Sequence, residues 1–471
     1  MDFKNKKITV MGLGLLGRAL GDVVYLAQKG AEIIVTDLKT EKELAISVGA
    51  LKKYKNITYH LGGHSVNDFK GRDIVLHAPN APRDSIYLET ARKSGSLVTQ
   101  GTALFAQLTQ GTILGITGTR GKSTTTHLIF HILKKQSLAL RRIEVKNQGL
   151  SLALEGESLV LKRRQKVFLG GNIKGVSTLA MLDEVKRGDI VVMELDSWQL
   201  ESMGKLGISP RYAGVTTFMP DHLNYYKGNL DAYLEDKAQI FLHQKKDDFL
   251  VLGEDVFRII LKKYKDKIKS KIIITKNSNA KKYDIKIPGE HNLGNVSVAI
   301  ELCKKIKVPE KIIKLGVESY YGIEGRLEFV KKVKGVKIYN DTCATTPDAT
   351  LSGLKGLSED QNSPKSPKIV LIMGGADKNI DMTRLTEFVA KYAKTVVLLP
   401  GTGSDKVREI LREKVADFHE VFTLKSAVLT AFKLSKKGDI ILFSPAFASF
   451  GMFANEFDRG EQFIKIIKKL N

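Results

Sequence analysis

Residues 115–135 read GITGTRGKSTTTHLIFHILKK. A β-branched strand runs into a glycine turn, and helical periodicity follows the turn. Glycines let backbone N–H groups face phosphate oxygens, and the N-terminus of the helix adds the positive end of a dipole. In this arrangement Lys122 would reach the β- and γ-phosphates of a nucleotide and Ser123 would bind Mg²⁺. Ile116 stands where the usual motif has its first glycine, but the flanking strand and helix still favour a phosphate-binding loop.

A nucleotide-bound Mg²⁺ needs a carboxylate, which is expected at the end of a neighbouring strand. Residues 189–201 read DIVVMELDSWQLE, and Glu194 follows a short apolar run there. The alternative is an ordinary surface carboxylate. The place of Glu194 at the end of a strand favours the interpretation as a metal ligand.

Strand-like and helix-like patterns alternate from this stretch to both ends of the chain. Short apolar runs such as KKITVMG, DIVLHAP and KIVLIMG are separated by helical periodicity such as RLTEFVAKYAK. This alternation predicts an α/β fold class with parallel sheets, whose ligand sites lie at the carboxyl ends of strands. A chain of 471 residues is too long for one core. Its motifs predict three domains: 1–100 with a first, Rossmann-like glycine turn, 101–321 with the phosphate loop, and 322–471 with another Rossmann-like series.

Composition narrows the function classes. Lys and Arg number 75 against 51 Asp and Glu, which gives a net charge of +24. Such a balance occurs in nucleic-acid-binding proteins, but here the lysines are spread along the chain and favour a basic surface. The two cysteines are too few for a disulfide framework or a zinc site. Neither a membrane span nor a signal peptide is recognisable, so a cytoplasmic protein without membrane insertion is expected.

The N-terminal glycine turn allows more than one interpretation. Residues 12–17 read GLGLLG after the strand KKITVM, and Asp37 ends the next strand. Taken alone, this pattern is typical of a dinucleotide site and of a nicotinamide dehydrogenase. That alternative leaves the phosphate loop and the last third of the chain without a role. A basic nucleic-acid-binding NTPase is a second alternative.

Further motifs, in order along the chain, resemble those of the Mur ligase family. MELDSWQLE (193–201) and SPAFASF (444–450) are similar to segments of the members that add D-glutamate. With the phosphate loop, the resemblance covers essentially the whole chain. The remaining motifs are LGGNIKG (169–175), MPDHLNYY (219–226), YLEDKAQIF (233–241), GEHNLGNVSVAI (289–300), YGIEGRLEFV (321–330), IYNDTCATTPDA (338–349), LIMGGADKNIDM (371–382) and GMFANEFDRGEQF (451–463).

The resemblance implies three α/β domains that bind a UDP moiety, ATP and an incoming amino acid. It implies an ATP-dependent ligase of peptidoglycan synthesis that joins D-glutamate to UDP-N-acetylmuramoyl-L-alanine, working as a monomer. The substrate carboxylate would attack the γ-phosphate of ATP, and the amine of D-glutamate would then displace phosphate from the acyl phosphate. Another amide ligase of the superfamily, including a folylpolyglutamate synthetase, is the nearest alternative.

By family position, ATP would be bound by the phosphate loop and by two later segments. Asn292 and Asn295 lie three apart on one helix face, and helix capping is their alternative role. Arg326 and Asp341 come from the predicted third domain, which would then close over ATP about a hinge near residues 322–325. The full set is Gly118, Thr119, Arg120, Gly121, Lys122, Ser123, Thr124, Asn292, Asn295, Arg326 and Asp341.

The resemblance also implies two Mg²⁺ ions. Ser123 and Glu194 would hold the first, and His222 and a carbamylated Lys237 the second. Carbamylation converts a cationic amine into an anionic oxygen ligand, whereas an unmodified lysine would repel the metal. The predicted catalytic residues are Lys122, His222 and Lys237.

The resemblance also implies binding positions for the two other substrates, the UDP-substrate and D-glutamate. A lysine accompanied by hydroxyl donors suits the two carboxylates of D-glutamate. The UDP-substrate would be contacted by Gly14, Leu15, Leu16, Asp37, Leu38, Asn80 and Asn172. D-glutamate would be contacted by Thr345, Lys378, Ser449 and Phe450.

Several residues depart from the family pattern. Cys343 replaces the usual lysine near the glutamate site and is expected to be a small packed residue, not a nucleophile. Arg120 replaces a common asparagine, and Phe457 is displaced by one position. The basic segment 134–166 has no counterpart and is expected to form an inserted hairpin or a mobile loop, and 357–368 an exposed loop.

Overall fold

The structure, a computed structural model, describes residues 1–14, 17–79, 81–148, 165–173, 175–222, 225–359, 368–377 and 380–470. Of residues 139–148 only the helical backbone is described. Four predicted site residues, Leu15, Leu16, Asn80 and Lys378, lie outside these ranges. The described residues form three sheets in a helix-rich chain, which confirms the predicted α/β fold class.

The first sheet contains five parallel strands in the order β3-β2-β1-β4-β5. The order reverses direction at β1, so the glycine turn after β1 lies at the switch point where open sheets bind ligands. Its strands are β1 Lys7–Met11, β2 Glu32–Asp37, β3 Ile57–Leu61, β4 Ile74–His77 and β5 Leu97–Thr99. Its helices are α1 Arg18–Gln28, α2 Ala45–Leu51 and α3 Ile86–Lys93.

The second sheet contains six parallel strands in the order β11-β10-β9-β6-β8-β7. The phosphate-loop strand β6 therefore lies between β8 and β9. The strands are β6 Thr112–Thr117, β7 Val167–Gly171, β8 Ile190–Glu194, β9 Tyr212–Val215, β10 Phe249–Leu252 and β11 Lys271–Ile274. The helices are α4 Gly101–Leu108, α5 Lys122–Gln148, α6 Ser197–Lys205, α7 Leu230–Leu242, α8 Phe257–Tyr264, α9 His291–Lys305 and α10 Glu310–Glu318.

The third sheet has six strands in the order β12-β13-β17-β14-β15-β16. The β12–β13 pair is antiparallel and the other pairs are parallel. The strands are β12 Glu328–Val333, β13 Val336–Asn340, β14 Ile369–Met373, β15 Ala393–Leu398, β16 Phe418–Glu420 and β17 Ile440–Phe443. The helices are α11 Pro347–Glu359, α12 Thr383–Tyr392, α13 Thr402–Lys414, α14 Leu424–Leu434 and α15 Glu456–Lys468.

The central strands are buried along their whole length. Every residue of β8 (IVVME) and of β14 (IVLIM) is buried. Strands covered by helices on both faces read as continuous apolar runs, which is why the sequence pattern identified them. Glu194, which closes β8, is the one carboxylate in these two runs and lies at the ligand-binding edge.

The chain divides into two compact units. The first comprises Met1–Ala280 with Gly294–Gly316, and it contains the first and second sheets. The second comprises Lys281–Leu293 with Val317–Asn471, and it contains the third sheet. The predicted domain boundaries, 1–100, 101–321 and 322–471, remain a prediction.

Two loop predictions need correction. Residues 134–148 of the basic segment continue helix α5, because strong helix formers and the absence of glycine or proline carry the helix as far as Gln148. Helix α11 likewise runs to Glu359, inside the predicted loop 357–368. The rest of each segment, 149–164 and 360–367, lies outside the described residues. Within the described ranges, no helix is both long and apolar enough to cross a membrane.

Candidate active site

The predicted phosphate loop connects the end of β6 to the start of α5, which begins at Lys122. Gly118 and Gly121 both have positive φ, 149° and 82°, a conformation that suits glycine. The Lys122 ammonium folds back over the loop and donates to the carbonyls of Gly118 and Thr119 at 3.0 and 3.1 Å. Ser123 and Thr124 occupy the first turn of α5, so their backbone N–H groups lie at the helix N-terminus.

The segment that follows β9 braces this loop. Thr217 accepts from the Thr119 N–H with its carbonyl and from the Arg120 N–H with its hydroxyl, both at 2.9 Å. The Thr119 hydroxyl donates to the Met219 carbonyl at 3.1 Å. Thr216 packs so closely that a Cβ on Gly118 would stand 2.1 Å from its hydroxyl oxygen. No role was predicted for Thr216 or Thr217, although polar residues directly after a buried strand were a usable signal.

Helix α7 brings Lys237 to the same loop. This lysine is 3% exposed, and its ammonium donates to the Gly118 carbonyl at 2.9 Å, so Lys122 and Lys237 converge on one acceptor. Burial, reinforced by the charge of Lys122, lowers the pKa of Lys237 to about 7. Burial also lowers the pKa of Lys122, against the opposing attraction of Glu194. Two lysine amines thus meet at the loop along which an anionic phosphate chain would lie.

Glu194 at the end of β8 is buried and hydrogen-bonded. Its carboxylate accepts from the Asn172 side-chain amide at 3.2 Å, and the Asn172 oxygen accepts from Arg18 at 2.6 Å. The predicted metal ligand and the predicted UDP-substrate ligand therefore share a hydrogen bond. Gly171 permits this approach, because a Cβ there would stand 2.1 Å from the Glu194 carbonyl oxygen.

Oxygen ligands for Mg²⁺ are present around the loop. Among the described residues no three His, Cys, Asp or Glu side chains are grouped as a metal site of their own. That arrangement fits Mg²⁺, which commonly takes one or two protein ligands and completes its shell with phosphate oxygens and water. The Ser123 hydroxyl and the Glu194 carboxylate belong to this donor class.

His222 is held by aromatic rings beside Lys237. Its ring lies 4.8 Å from the Trp198 ring and 5.9 Å from the Tyr233 ring, centroid to centroid. Its backbone has a positive φ of 52°. The Lys237 ammonium lies 4.7 Å from the centroid of the same Tyr233 ring. Tyr233 thus lies between the two residues predicted to hold a second metal.

The two predicted asparagines of α9 have different surroundings. Asn295 packs on the phosphate loop, since a Cβ on Gly121 would stand 2.0 Å from its side-chain oxygen. The Asn292 amide donates to the Pro288 carbonyl at 2.6 Å, a local contact that differs from a helix cap, in which the side chain accepts from a backbone N–H. Packing therefore connects Asn295 to the nucleotide loop.

The first sheet carries a cavity of about 210 Å³ at its switch point, lined in part by Gly14, Arg18, Asp22 and Gln100. The Asp37 carboxylate accepts from the Gly14 N–H at 3.1 Å and so shapes the glycine turn. Burial raises the pKa of Asp22 to about 6, although a hydrogen bond from Ser177 opposes the shift. Leu38 is exposed.

The predicted D-glutamate residues that the structure describes lie in loops at one edge of the third sheet. The Ala446 N–H donates to the Ala344 carbonyl at 2.9 Å, and Ala376 and Ala448 form an antiparallel bridge. The loops after β13, β14 and β17 are therefore adjacent. Thr345 lies in the first of these loops. Ser449, which is buried, and Phe450, which is 68% exposed, lie in the third.

Asp341 follows β13 in this unit and is buried. Its carboxylate accepts from the Leu327 N–H at 3.0 Å and from the Ser444 hydroxyl at 2.7 Å. Burial raises its pKa to about 7, against the attraction of Arg326. The Arg326 N–H donates to the Ile323 carbonyl at 3.0 Å.

Arg459 is a residue whose role the sequence analysis missed. It is fully buried in α15 and donates to the Thr342 hydroxyl and carbonyl at 3.2 and 2.8 Å and to the Phe447 carbonyl at 3.2 Å. One guanidinium thus fastens the loop after β13 to the loop after β17. Its position in the closing motif was visible, but its contacts were not. Cys343, in the first loop, donates its N–H to the Gly325 carbonyl at 2.9 Å.

Two family profiles match the chain. The Mur ligase middle domain matches residues 116–283, and the Mur ligase glutamate ligase domain matches residues 325–447. Both matched ranges contain site residues described above, among them Lys122, Lys237 and Asp341.

Curated relatives match over the full length. The chain is 33% identical over 489 residues to the UDP-N-acetylmuramoylalanine–D-glutamate ligase of Borreliella burgdorferi (strain ZS7), covering 100% of this chain and 99% of the relative. It is 32% identical to the enzyme of the same name from Roseiflexus sp. (strain RS-1), covering 99% of each.

Solved structures share the fold. The UDP-N-acetylmuramate–alanine ligase MurC of Thermotoga maritima is 18% identical, with a TM-score of 0.55 over 98% of this chain and 99% of that one. The MurF ligase of the same organism, in complex with ADP, is 16% identical, with a TM-score of 0.53 over 100% of this chain and 98% of that one. From the full-length identity and the matched profiles together, we conclude that the chain belongs to the Mur ligase family.

Proposed function

We propose that this chain is an ATP-dependent ligase that adds D-glutamate to UDP-N-acetylmuramoyl-L-alanine in peptidoglycan synthesis. The supporting observation in the geometry is the convergence of Lys122 and Lys237 on the Gly118 carbonyl of a glycine-rich loop. The Lys122 cation at this loop suits a reaction that brings together two anions, ATP and a carboxylate, and the Lys237 amine beside it is the one proposed to be carbamylated. The choice of D-glutamate as the incoming amino acid rests on relatives named UDP-N-acetylmuramoylalanine–D-glutamate ligase, whose alignments span the whole chain.

The reaction follows from the charges. A carboxylate oxygen of the substrate attacks the γ-phosphorus of ATP, the bond to the bridging oxygen breaks, and ADP leaves. The amine of D-glutamate then attacks the acyl carbon, loses a proton and displaces inorganic phosphate. In this scheme Lys122 neutralises charge on the transferring phosphoryl group, and the N–H groups at the start of α5 hold the phosphate chain in place.

The proposal includes two Mg²⁺ ions. Ser123 and Glu194 would hold one, and His222 with a carbamylated Lys237 would hold the other. Bound Mg²⁺ supplies positive charge that screens the phosphates. The protein's own part is to keep Glu194 oriented through Asn172 and to present Lys237 at the loop.

The substrate assignments also belong to the proposal. Gly14, Asp37, Leu38 and Asn172, with Leu15, Leu16 and Asn80, would contact the UDP-substrate. Thr345, Lys378, Ser449 and Phe450 would contact D-glutamate. Asn292, Asn295, Arg326 and Asp341 would complete the ATP site with the loop residues Gly118, Thr119, Arg120, Gly121 and Thr124. We further propose a monomer in the cytoplasm, where ATP and nucleotide sugars are made.

Amino-acid-dependent phosphate release tests the assignment. Purified protein is supplied with Mg²⁺-ATP and UDP-N-acetylmuramoyl-L-alanine, and then with D-glutamate, L-glutamate, L-alanine or meso-diaminopimelate in separate reactions. D-glutamate should elicit release and the other amino acids should not. Turnover with L-alanine or meso-diaminopimelate, but not D-glutamate, would refute the assignment.

Two lysine variants accompany this experiment: one is expected to lose activity, and the other is its matched control. Lys122→Ala should reduce the rate at least about 100-fold, because a cation at the transferring group is lost. Lys29→Ala removes an equal charge from an exposed ion pair with Asp183 and should leave the rate unchanged.

A further inference from the structure

A second cluster of charged and aromatic side chains lies beside Lys237, and it centres on Arg83. Arg83 lies in the loop between β4 and α3, and its guanidinium forms an ion pair with Asp236 of α7. It also approaches Glu201 of α6 at 3.8 Å. One side chain of the first sheet thus meets two helices that flank the second sheet.

Aromatic rings complete the contact. The guanidinium lies 5.6 Å from the centroid of the Tyr225 ring and 5.3 Å from that of the Tyr226 ring. The Tyr226 hydroxyl donates to the Asp236 carboxylate at 2.8 Å. The Asp236 side chain is only 8% exposed, so its charge depends on these two partners.

Helix geometry carries this contact to the phosphate loop. Asp236 and Lys237 are consecutive, so their side chains point about 100° apart around α7. Arg83 therefore braces α7 at the residue next to Lys237, whose ammonium donates to the Gly118 carbonyl. A second path runs through packing, since the Tyr226 ring lies 5.1 Å from the Tyr233 ring, over which Lys237 sits.

We infer that Arg83 is a positioning residue that couples the UDP-substrate site to the nucleotide site. The loop that carries Arg83 begins with Ala78 and Pro79, which line the cavity at the switch point of the first sheet, while the helix that Arg83 contacts carries Lys237. Binding of the UDP-substrate in that cavity holds this loop in place and, through Arg83, holds α7 in the orientation that presents Lys237. The inference rests on the proposed function, because it uses that substrate.

The chain provides a matched control. Lys227 pairs with Asp84 at 3.2 Å and joins the same β4–α3 loop to the segment that carries Tyr225 and Tyr226, but both side chains are exposed, 82% and 73%. An exposed pair of this kind contributes little. Lys227→Ala therefore removes a cation that contacts this loop without touching α7.

The test measures coupling directly. The affinity of UDP-N-acetylmuramoyl-L-alanine is determined by calorimetry with and without saturating Mg²⁺-ADP, which permits no turnover. Wild type and Lys227→Ala should bind the UDP-substrate about 5-fold or more tightly in the presence of Mg²⁺-ADP. Arg83→Ala should reduce this factor to about 1, and Arg83→Lys, which keeps charge but not the two-sided contact, should lie between.

Steady-state kinetics give a second readout. Arg83→Ala should lower kcat at least about 10-fold and leave the KM for D-glutamate unchanged, with kcat expressed per site that binds Mg²⁺-ADP so that unfolded protein is not counted. If Arg83→Ala does not fold, Arg83→Lys and Asp236→Asn replace it in the comparison with wild type and Lys227→Ala. Each of them weakens the Arg83–Asp236 ion pair by changing one partner.

The outcomes separate the two proposals. Wild-type protein that binds the UDP-substrate with full coupling, together with an Arg83→Ala variant that couples equally, would overturn the inference and leave the proposed function standing. Wild-type binding without any coupling would also overturn the inference. Wild-type protein that neither binds the UDP-substrate nor releases phosphate with D-glutamate would overturn the proposed function itself.

Discussion

At the scale of single residues, the site depends on buried charges. Lys122 and Lys237 share one carbonyl acceptor, and burial lowers the pKa of both. Asp341 in the second unit has the opposite shift, a raised pKa, for the same reason. Desolvation disfavours whichever form is charged, so each of these groups is ready to lose its charge unless a ligand or a modification compensates it.

Lys237 should be carbamylated in the presence of bicarbonate. Only the neutral amine reacts with CO₂, and a pKa of about 7 makes that form abundant at pH 8. ¹³C NMR of protein equilibrated with ¹³C-bicarbonate should show a carbamate signal that Lys237→Ala lacks. The same variant should lose at least about 10-fold in activity, because the proposed metal ligand would be gone.

Lys205→Ala is the control for this signal, because Lys205 is half-exposed and pairs with Glu201. It should retain the carbamate resonance. A spectrum in which wild type and Lys237→Ala are indistinguishable would contradict the carbamylation of this residue.

Asp341→Asn should stabilise the protein in a pH-dependent way. The folded-state pKa of about 7 lies above the ordinary 3.8, so the stability from this group is fully present below about pH 4 and is lost as pH rises to 7. Asparagine keeps the bond from the Leu327 N–H, reverses the one with Ser444, whose hydroxyl oxygen can accept from the amide, and removes the buried charge. The variant should gain about 1–3 kcal/mol at pH 8 and nothing at pH 4, as measured by urea unfolding. An equal gain at both pH values would argue against this origin.

At the scale of elements, neighbouring segments hold the ligand-binding loops in shape. Thr217 and Met219, which follow β9, brace the phosphate loop, and Asn295 of α9 packs against Gly121. In the third sheet Arg459 of α15 fastens two loops together. In each case the loop carries the proposed contacts to the ligand, and a separate element fixes the geometry of that loop.

Gly121→Ala should disable the phosphate loop. The new Cβ would stand 2.0 Å from the Asn295 oxygen, and a φ of 82° disfavours any side chain. Binding of Mg²⁺-ADP, measured by calorimetry, should weaken at least about 10-fold. Gly207→Ala is the matched control, with a φ of 69° and open space around the Cβ, and it should cost about 1 kcal/mol of stability with unchanged ADP affinity. Equal ADP affinity in the two variants would disprove the steric argument.

Arg459→Ala should affect the glutamate side alone. It removes three buried hydrogen bonds that hold the loops after β13 and β17, at a cost of about 2–4 kcal/mol in unfolding free energy. The KM for D-glutamate should rise while the KM for ATP remains near its wild-type value. Arg459→Lys, which cannot reach both loops, should behave similarly. An unchanged KM for D-glutamate would show that these loops do not bind it.

At the scale of the whole molecule, the chain folds as two compact units, one with two sheets and one with a single sheet. The phosphate loop, Lys237 and Glu194 belong to the first, and Asp341, Thr345 and Ser449 to the second. The residues of the phosphate loop and the described residues proposed to contact D-glutamate thus belong to separately packed parts of the chain.

Mg²⁺-ADP should raise the thermal unfolding midpoint of the intact chain. A ligand that binds only the native state stabilises it, by about 2.7 kcal/mol at 100 times its dissociation constant. Differential scanning fluorimetry should show a midpoint that increases with ADP concentration in wild type but not in Lys122→Ala. A rise of the same size in that variant would argue against the phosphate loop as the nucleotide site.

Much of the architecture was predictable because it is encoded locally. The strand, glycine turn and helix at 115–135, the buried run that ends in Glu194, and the glycine turn at 12–17 all follow from periodicity and residue type. The helix through 134–148 was missed because a basic segment without a family counterpart was taken for a loop. Its helix-forming composition was the better guide.

The sequence alone determined the fold class, the family and the position of the phosphate loop, since these depend on patterns within short segments. Tertiary structure alone decided that Lys237 reaches Gly118 across 119 residues, that Asn172 joins Arg18 to Glu194, and that Arg459 joins two loops. Such contacts depend on the order of strands in each sheet. That order is set by the packing of whole layers, which no local periodicity specifies.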